Sequence, residues 1–175
     1  MSIFASEPAT RVLVAYASKH GSTKEVAEAL GSALQGPNAE VSVVPAAEVH
    51  DLDEYRAVVL GGSLYVGRWN RDAVRFLERH REALLNVPLA VFALGPKTLA
   101  EADVAASRAQ LQSALSKLPE LEPVAVAIFG GRVDPAKLRF PLTRMAASDA
   151  RDWDEIAAWA KEVGGRFTNR VGAAS

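Results

Sequence analysis

Val12-Leu13-Val14-Ala15-Tyr16-Ala17-Ser18-Lys19-His20-Gly21-Ser22-Thr23 changes character halfway along. Its first half is a continuous apolar run, as in a strand buried on both faces. Its second half is polar and contains one glycine. Helical spacing follows at once, with Val26, Ala27, Leu30, Ala33 and Leu34 recurring on one face. A buried strand, a short polar loop and an amphipathic helix open a β-α unit of the kind that builds parallel sheets.

The same alternation continues outward from this stretch. Gly36-Pro37-Asn38 breaks the helix, and residues 41–44 form a second strand. Residues 57–60 form a third, ending in Gly61-Gly62. A helix over residues 70–85 carries Val74, Leu77, Leu84 and Leu85 on one face, and residues 89–94 form the fourth strand. Val104, Leu111, Leu115 and Leu118 stripe a helix that stops at Pro119. Residues 124–129 form the fifth strand, and residues 152–167 a last helix with Ile156, Ala160, Val163 and Phe167 inward. The pattern predicts an α/β three-layer sandwich around a five-stranded parallel sheet in the order 2-1-3-4-5. A polar leader at 1–10 precedes a single domain at 11–170. The connection over residues 130–151, about 20 residues long, is unusual for a compact domain, where such loops are functional.

Composition narrows the chemistry. The 175 residues suffice for one full core, with 49% hydrophobic and 23% charged residues. A net charge of -1 argues against a nucleic-acid partner. The absence of cysteine excludes disulfides, thiolate catalysis and iron–sulfur ligation within this chain. The first ten residues lack the charged start and apolar stretch of a signal peptide, and no run reaches the ~18 apolar residues of a membrane span. The expected location is the cytoplasm, with peripheral contact at the inner face of a membrane left open.

Open α/β sheets bind ligands beyond the carboxyl ends of their strands. Ser18, Lys19, His20, Gly21, Ser22 and Thr23 leave the first such end and open a helix. Gly21 lets the backbone curl close to an anion, the free amides of the first turn donate to it, and the helix dipole adds attraction. The loop lacks the glycine spacing and lysine of a Walker A motif and the three glycines of a dinucleotide fingerprint, which argues against ATP and NAD. Against the phosphate reading stands a plainer one, in which Ser22 or Thr23 is simply a helix N-cap.

This strand and loop resemble those of flavodoxins, whose loop is usually Thr/Ser-x-Thr/Ser-Gly-x-Thr; His20 here replaces the middle hydroxyl. The resemblance continues through Gly61-Gly62-Ser63-Leu64-Tyr65-Val66-Gly67 to the C-terminal helix. It implies a flavodoxin-like fold that binds FMN. Within the superfamily, the chain is similar to the branch related to quinone-dependent protoporphyrinogen oxidase. The Ser-x-x-Gly-x-Thr loop, Tyr65-Val66-Gly67-Arg68-Trp69, Phe76-Leu77-Glu78-Arg79-His80 and the basic connection from Gly131-Arg132-Val133 to Arg144 carry that similarity.

The resemblance implies that the isoalloxazine ring lies against Ser63, Leu64, Tyr65, Val66 and Gly67, with Tyr65 and Trp69 as aromatic walls. Trp69 could equally pack against the following helix. Leu94, Gly95 and Pro96 would cover the other side, in a loop without the aromatic shield common in electron carriers. Arg132, Arg139 and Arg144 could dock an anionic substrate group or anionic lipid, or form a solvated edge. His20, His50 and His80 read as solvated histidines, and Asp51, Asp53 and Glu54 as a solvated turn; no metal site is expected. The implied activity is FMN-dependent transfer of electrons between an organic substrate and a quinone, with no catalytic side chain required. The alternatives are a carrier docking to redox partner proteins and a flavin-free binding module; the charge of -1 disfavours an acidic carrier. The oligomeric state stays open.

Overall fold

The computed structural model describes residues 8–95, 99–133 and 148–173. Strand β1 (Thr10–Ala17) leads into helix α1 (Ser22–Leu34) and strand β2 (Ala39–Pro45). Strand β3 (Ala57–Tyr65) turns back into the short β4 (Arg68–Trp69), followed by α2 (Arg71–Arg79) and α3 (Arg81–Leu84). Then come β5 (Leu89–Leu94), α4 (Glu101–Leu115), β6 (Ala125–Phe129), the two-residue strands β7 (Arg132–Val133) and β8 (Ser148–Asp149), and α5 (Trp153–Ala173).

The parallel sheet runs β2-β1-β3-β5-β6, which is the order 2-1-3-4-5 counted over its five parallel strands. Strand β4 adds antiparallel to the end of β3, and β7 pairs antiparallel with β8 outside the main sheet. Successive strand residues serve opposite faces, as the pleat demands. Leu13, Val58, Leu60, Val91 and Ile128 pack with Phe76, Leu77 and Leu111 on one face. Val12, Val14, Val59, Phe92 and Phe129 pack with Leu30, Ile156, Trp159 and Phe167 on the other. So α1 and α5 cover one face, and α2, α3 and α4 the other. Burial on both faces explains the unbroken apolar runs.

Two elements differ from the sequence reading. Strand β3 does not end before Gly61-Gly62 but runs through both glycines to Tyr65. These glycines make room for aromatic rings: a Cβ on Gly61 would lie 1.9 Å from Phe92 Cζ, and one on Gly62 2.7 Å from Trp69 Nε1. Glycine inside a strand marks such close approach. The helix expected over 70–85 is interrupted at His80, whose φ of −103° and ψ of 16° leave the helical region. His80 is not solvated: it is 6% exposed, and its ring lies 4.7 Å from that of Phe76. Burial of the ring against Phe76 outweighs helix continuity at that residue. No helix among the described residues is long and apolar enough to cross a membrane.

Candidate functional site

The carboxyl ends of the central strands lie level. Ala17 pairs with Gly62, Ser63 with Leu94, and Leu94 with Phe129. The segments leaving these ends therefore meet at one edge.

The first is the loop between β1 and α1. Gly21, not Ser22 or Thr23, is the N-cap of α1, with φ 91° and no side-chain cap. That conformation suits glycine. The serine and threonine stand inside the first turn, so the plainer N-cap reading of their hydroxyls does not hold. Ser18 Oγ accepts from Gly21 N at 2.8 Å and closes the loop on itself. A Cβ built on Gly21 meets nothing within 4 Å, so open space faces the cap. Thr23 is fully buried, and its Oγ1 has no hydrogen-bond partner among the described residues. A buried hydroxyl without a partner costs free energy and calls for an explanation. An uncapped helix start, a left-handed glycine beside open space and an orphaned hydroxyl together suit a phosphate.

The second segment is the β3–β4 hairpin. Leu64 pairs with Trp69 and Tyr65 with Arg68, leaving Val66 (φ 49°) and Gly67 (φ 72°) as a two-residue turn. Positive φ at both residues is the signature of a type I′ hairpin. Trp69 is buried against Gly62 and Ala73, and its Nε1 donates to Gly62 O at 3.1 Å. It thus joins the core beside α2, the packing role weighed against a flavin wall. Tyr65 is the half-buried ring of the hairpin. Lys19 Nζ lies 4.0 Å from its centroid, and the His20 ring meets it edge-on at 6.1 Å. The phosphate-type loop and the hairpin are in direct contact.

The third segment begins at Gly95. A Cβ there would lie 2.5 Å from Leu64 Cδ1, and Gly95 N donates to Phe129 O at 3.1 Å. Leu94 is buried at the strand end; Pro96 lies outside the described residues, as do Arg139 and Arg144. Arg132 is described, and its guanidinium sits 3.9 Å from Glu25 in the first turn of α1.

Glu25 also belongs to a cluster that sequence reasoning missed. The Arg151 side chain is 5% exposed. It donates to both carboxylate oxygens of Asp149, at 2.9 and 2.8 Å, and to Glu25. Its cation also lies over the Trp153 ring at 4.9 Å. The Arg151 hydrogen bonds hold the Asp149 carboxyl below its ordinary pKa. The partners Glu25 and Arg151 are 126 positions apart, so no local signal could have joined them.

A cavity of about 800 Å³ opens at the opposite edge, by the amino ends of the strands, lined by residues such as Arg56, Leu85 and Glu122. None of the three segments lines it. It is unrelated to the ligand edge of an open α/β sheet.

A family profile described as "Flavodoxin domain" matches residues 13–147. Among solved structures, a cysteine-to-serine mutant of flavodoxin from Pseudomonas aeruginosa is 18% identical with a TM-score of 0.57, over 91% of this chain and 99% of that one. Flavodoxin 2 from Bacillus cereus is 21% identical with a TM-score of 0.55, over 90% and 100%. Rubredoxin oxygen:oxidoreductase from Desulfovibrio gigas is 11% identical with a TM-score of 0.61, over 94% of this chain and 37% of that one. These likenesses establish the fold. No curated protein matches the chain significantly. The family match spans most of the sequence, and the uncapped α1 with its orphaned Thr23 hydroxyl fits the phosphate of the family's cofactor. The chain therefore belongs to the flavodoxin-domain family and binds FMN.

Proposed function

We propose that the chain is an FMN-dependent oxidoreductase that moves two electrons and two protons from an organic substrate to a quinone, in the manner of flavodoxin-type protoporphyrinogen oxidase. FMN, when bound, supplies the redox chemistry. The residues of the chain bind and orient it. Ser18, Gly21, Ser22 and Thr23 would hold the phosphate, aided by the backbone of Lys19 and His20. Ser63, Leu64, Tyr65, Val66 and Gly67 would line one side of the ring, and Leu94, Gly95 and Pro96 the other. Trp69 would back that wall from the core. Arg132, Arg139 and Arg144 would border the substrate, or an anionic membrane surface that supplies it; Arg132 would share its charge with Glu25.

The observation that carries this reading is the charge of the three segments in the sequence. The segments 18–23, 63–69 and 94–98 contain Lys19, Arg68 and Lys97 and no aspartate or glutamate. A carrier steered to basic redox partners would present carboxylates there. A carrier docking to redox proteins remains the second reading, favoured by the near-complete overlap with stand-alone flavodoxins.

The experiment is FMN titration followed by turnover. Thr23→Val keeps the shape of the side chain and removes the orphaned hydroxyl. FMN affinity is expected to fall about tenfold, the order of one lost hydrogen bond to a charged group, while stability holds or rises. FMN-loaded wild type is then assayed with protoporphyrinogen and a quinone. Quinol formation supports the oxidoreductase. Electron delivery to redox proteins alone, with no small molecule turned over, establishes the carrier instead.

A further inference from the structure

Tyr65 stands at the seam between the two loops that the reading above assigns to the phosphate and the ring. Two cations flank it. Lys19 Nζ is 4.0 Å from the ring centroid, reaching across from the β1–α1 loop. Arg68 is the direct cross-strand partner of Tyr65 in the hairpin. Neither forms an ion pair within the described residues. Nearby cations behave differently: Arg132 and Arg151 are both drawn onto Glu25, and Arg151 is neutralised further by Asp149. The seam thus carries positive charge that no described residue compensates, whereas Arg132 and Arg151 are met by Glu25 and Asp149.

We infer that Lys19 is a redox-tuning residue: held across Tyr65, its charge shifts the affinity of the site toward two-electron-reduced, anionic FMN relative to oxidised FMN. The inference rests on the FMN reading and deepens it. Adding two electrons and one proton to oxidised FMN places one further negative charge on the ring. A ligand that spans from the first loop to the hairpin passes the Lys19–Tyr65 contact, so the ammonium charge acts on the reduced form more than on the oxidised one. Stacking on the aromatic face holds the flexible lysine stem in place and keeps the cation at the seam rather than in bulk water. A unit charge at several ångströms in partly solvated surroundings changes an affinity by on the order of tenfold. Lys19 thus raises the midpoint potential and pushes the site toward taking electrons from an organic donor.

The test is a thermodynamic cycle on the purified full chain. Binding of oxidised FMN is measured by fluorescence quenching. The midpoint potential of the bound, two-electron couple is measured by dithionite titration against a reference dye. Lys19→Met keeps most of the stem and removes the charge. Whatever it does to overall affinity, the ratio of oxidised to reduced dissociation constants is expected to fall about tenfold, which lowers the midpoint by about 30 mV. Lys19→Arg restores the wild-type midpoint. The difference between wild type and Lys19→Met shrinks at ~1 M salt, where the Debye length is about 3 Å. An unchanged midpoint in Lys19→Met, with FMN still bound, overturns the role of Lys19 alone. A wild-type chain that forms no yellow FMN complex overturns the cofactor reading itself.

Discussion

His80 is a buried base at the joint between α2 and α3, packed against Phe76. Burial is the main cause that pushes its pKa below the ordinary value of 6.5, and the neighbouring Arg79 adds to it; the Val49 backbone and Asp51 act the other way. The sign of the consequence follows from linkage. The unfolded chain takes up the proton more readily than the folded one, so acid favours unfolding. Stability is complete above pH 6.5 and is lost progressively as pH falls through the lowered native value. Urea midpoints at pH 7.5 and 5.5 measure this. Wild type is expected to lose more on acidification than His80→Gln, which cannot titrate; equal losses in the two proteins refute the account. The sequence offered only Glu78-Arg79-His80-Arg81-Glu82, a run of charges that reads as solvated. His80 alone of the five turns inward, because its position also falls on the apolar face that carries Ala73, Phe76, Leu77 and Leu84.

At the scale of elements, the hairpin β3–β4 sets the shape of the proposed ring site, and it was the part least legible in the sequence. Two-residue hairpins announce themselves by Asn-Gly or Asp-Gly, whose first residue tolerates positive φ. Here the turn is Val66-Gly67, and valine disfavours the φ of 49° that it adopts. Val66 is 79% exposed, so no packing compensates for the strain. Val66→Asn is expected to stabilise the protein by about 1 kcal/mol, the cost of a left-handed β-branched residue, seen as a higher Tm. A lower Tm would mean that the valine makes a contact worth more than the strain. The parallel strands and their helices, by contrast, were readable almost throughout. Their apolar residues are fixed by burial on two faces, a demand that any sequence forming this sheet must meet. The helix start at residues 21–23 was readable for a related reason, since a glycine and hydroxyls between a buried strand and an amphipathic helix have few other uses.

Contacts between distant segments belong to the whole molecule and leave no trace in local pattern. The clearest is the clip in which Arg151 joins Asp149 and Glu25. It ties the return of the long connection to the first turn of α1, and there the backbone is already tight: a Cβ on Gly130 would lie 2.0 Å from the Ala150 carbonyl oxygen. Replacing Arg151 with methionine removes three charge-assisted hydrogen bonds from a nearly buried guanidinium, but both carboxylates are about half exposed and recover water. The expected loss is therefore modest, about 1–2 kcal/mol. It should be local first, with the connection cleaved faster by protease before the global melt moves far. The pH dependence has a defined sign. The Asp149 carboxyl is held below its ordinary value, so the contribution is present above about pH 4 and disappears as pH falls through the lowered value. The stability gap between wild type and Arg151→Met should thus be constant from pH 8 to 5 and close at lower pH. The same variant leaves Glu25 with Arg132, 3.9 Å away, as its remaining cation among the described residues. An under-compensated carboxylate one turn from the proposed phosphate seat repels a dianion, so FMN affinity should fall along with the stability of the connection. If Arg151→Met loosens the connection while FMN binds as before, the clip serves the fold alone and the phosphate seat is electrostatically independent of it.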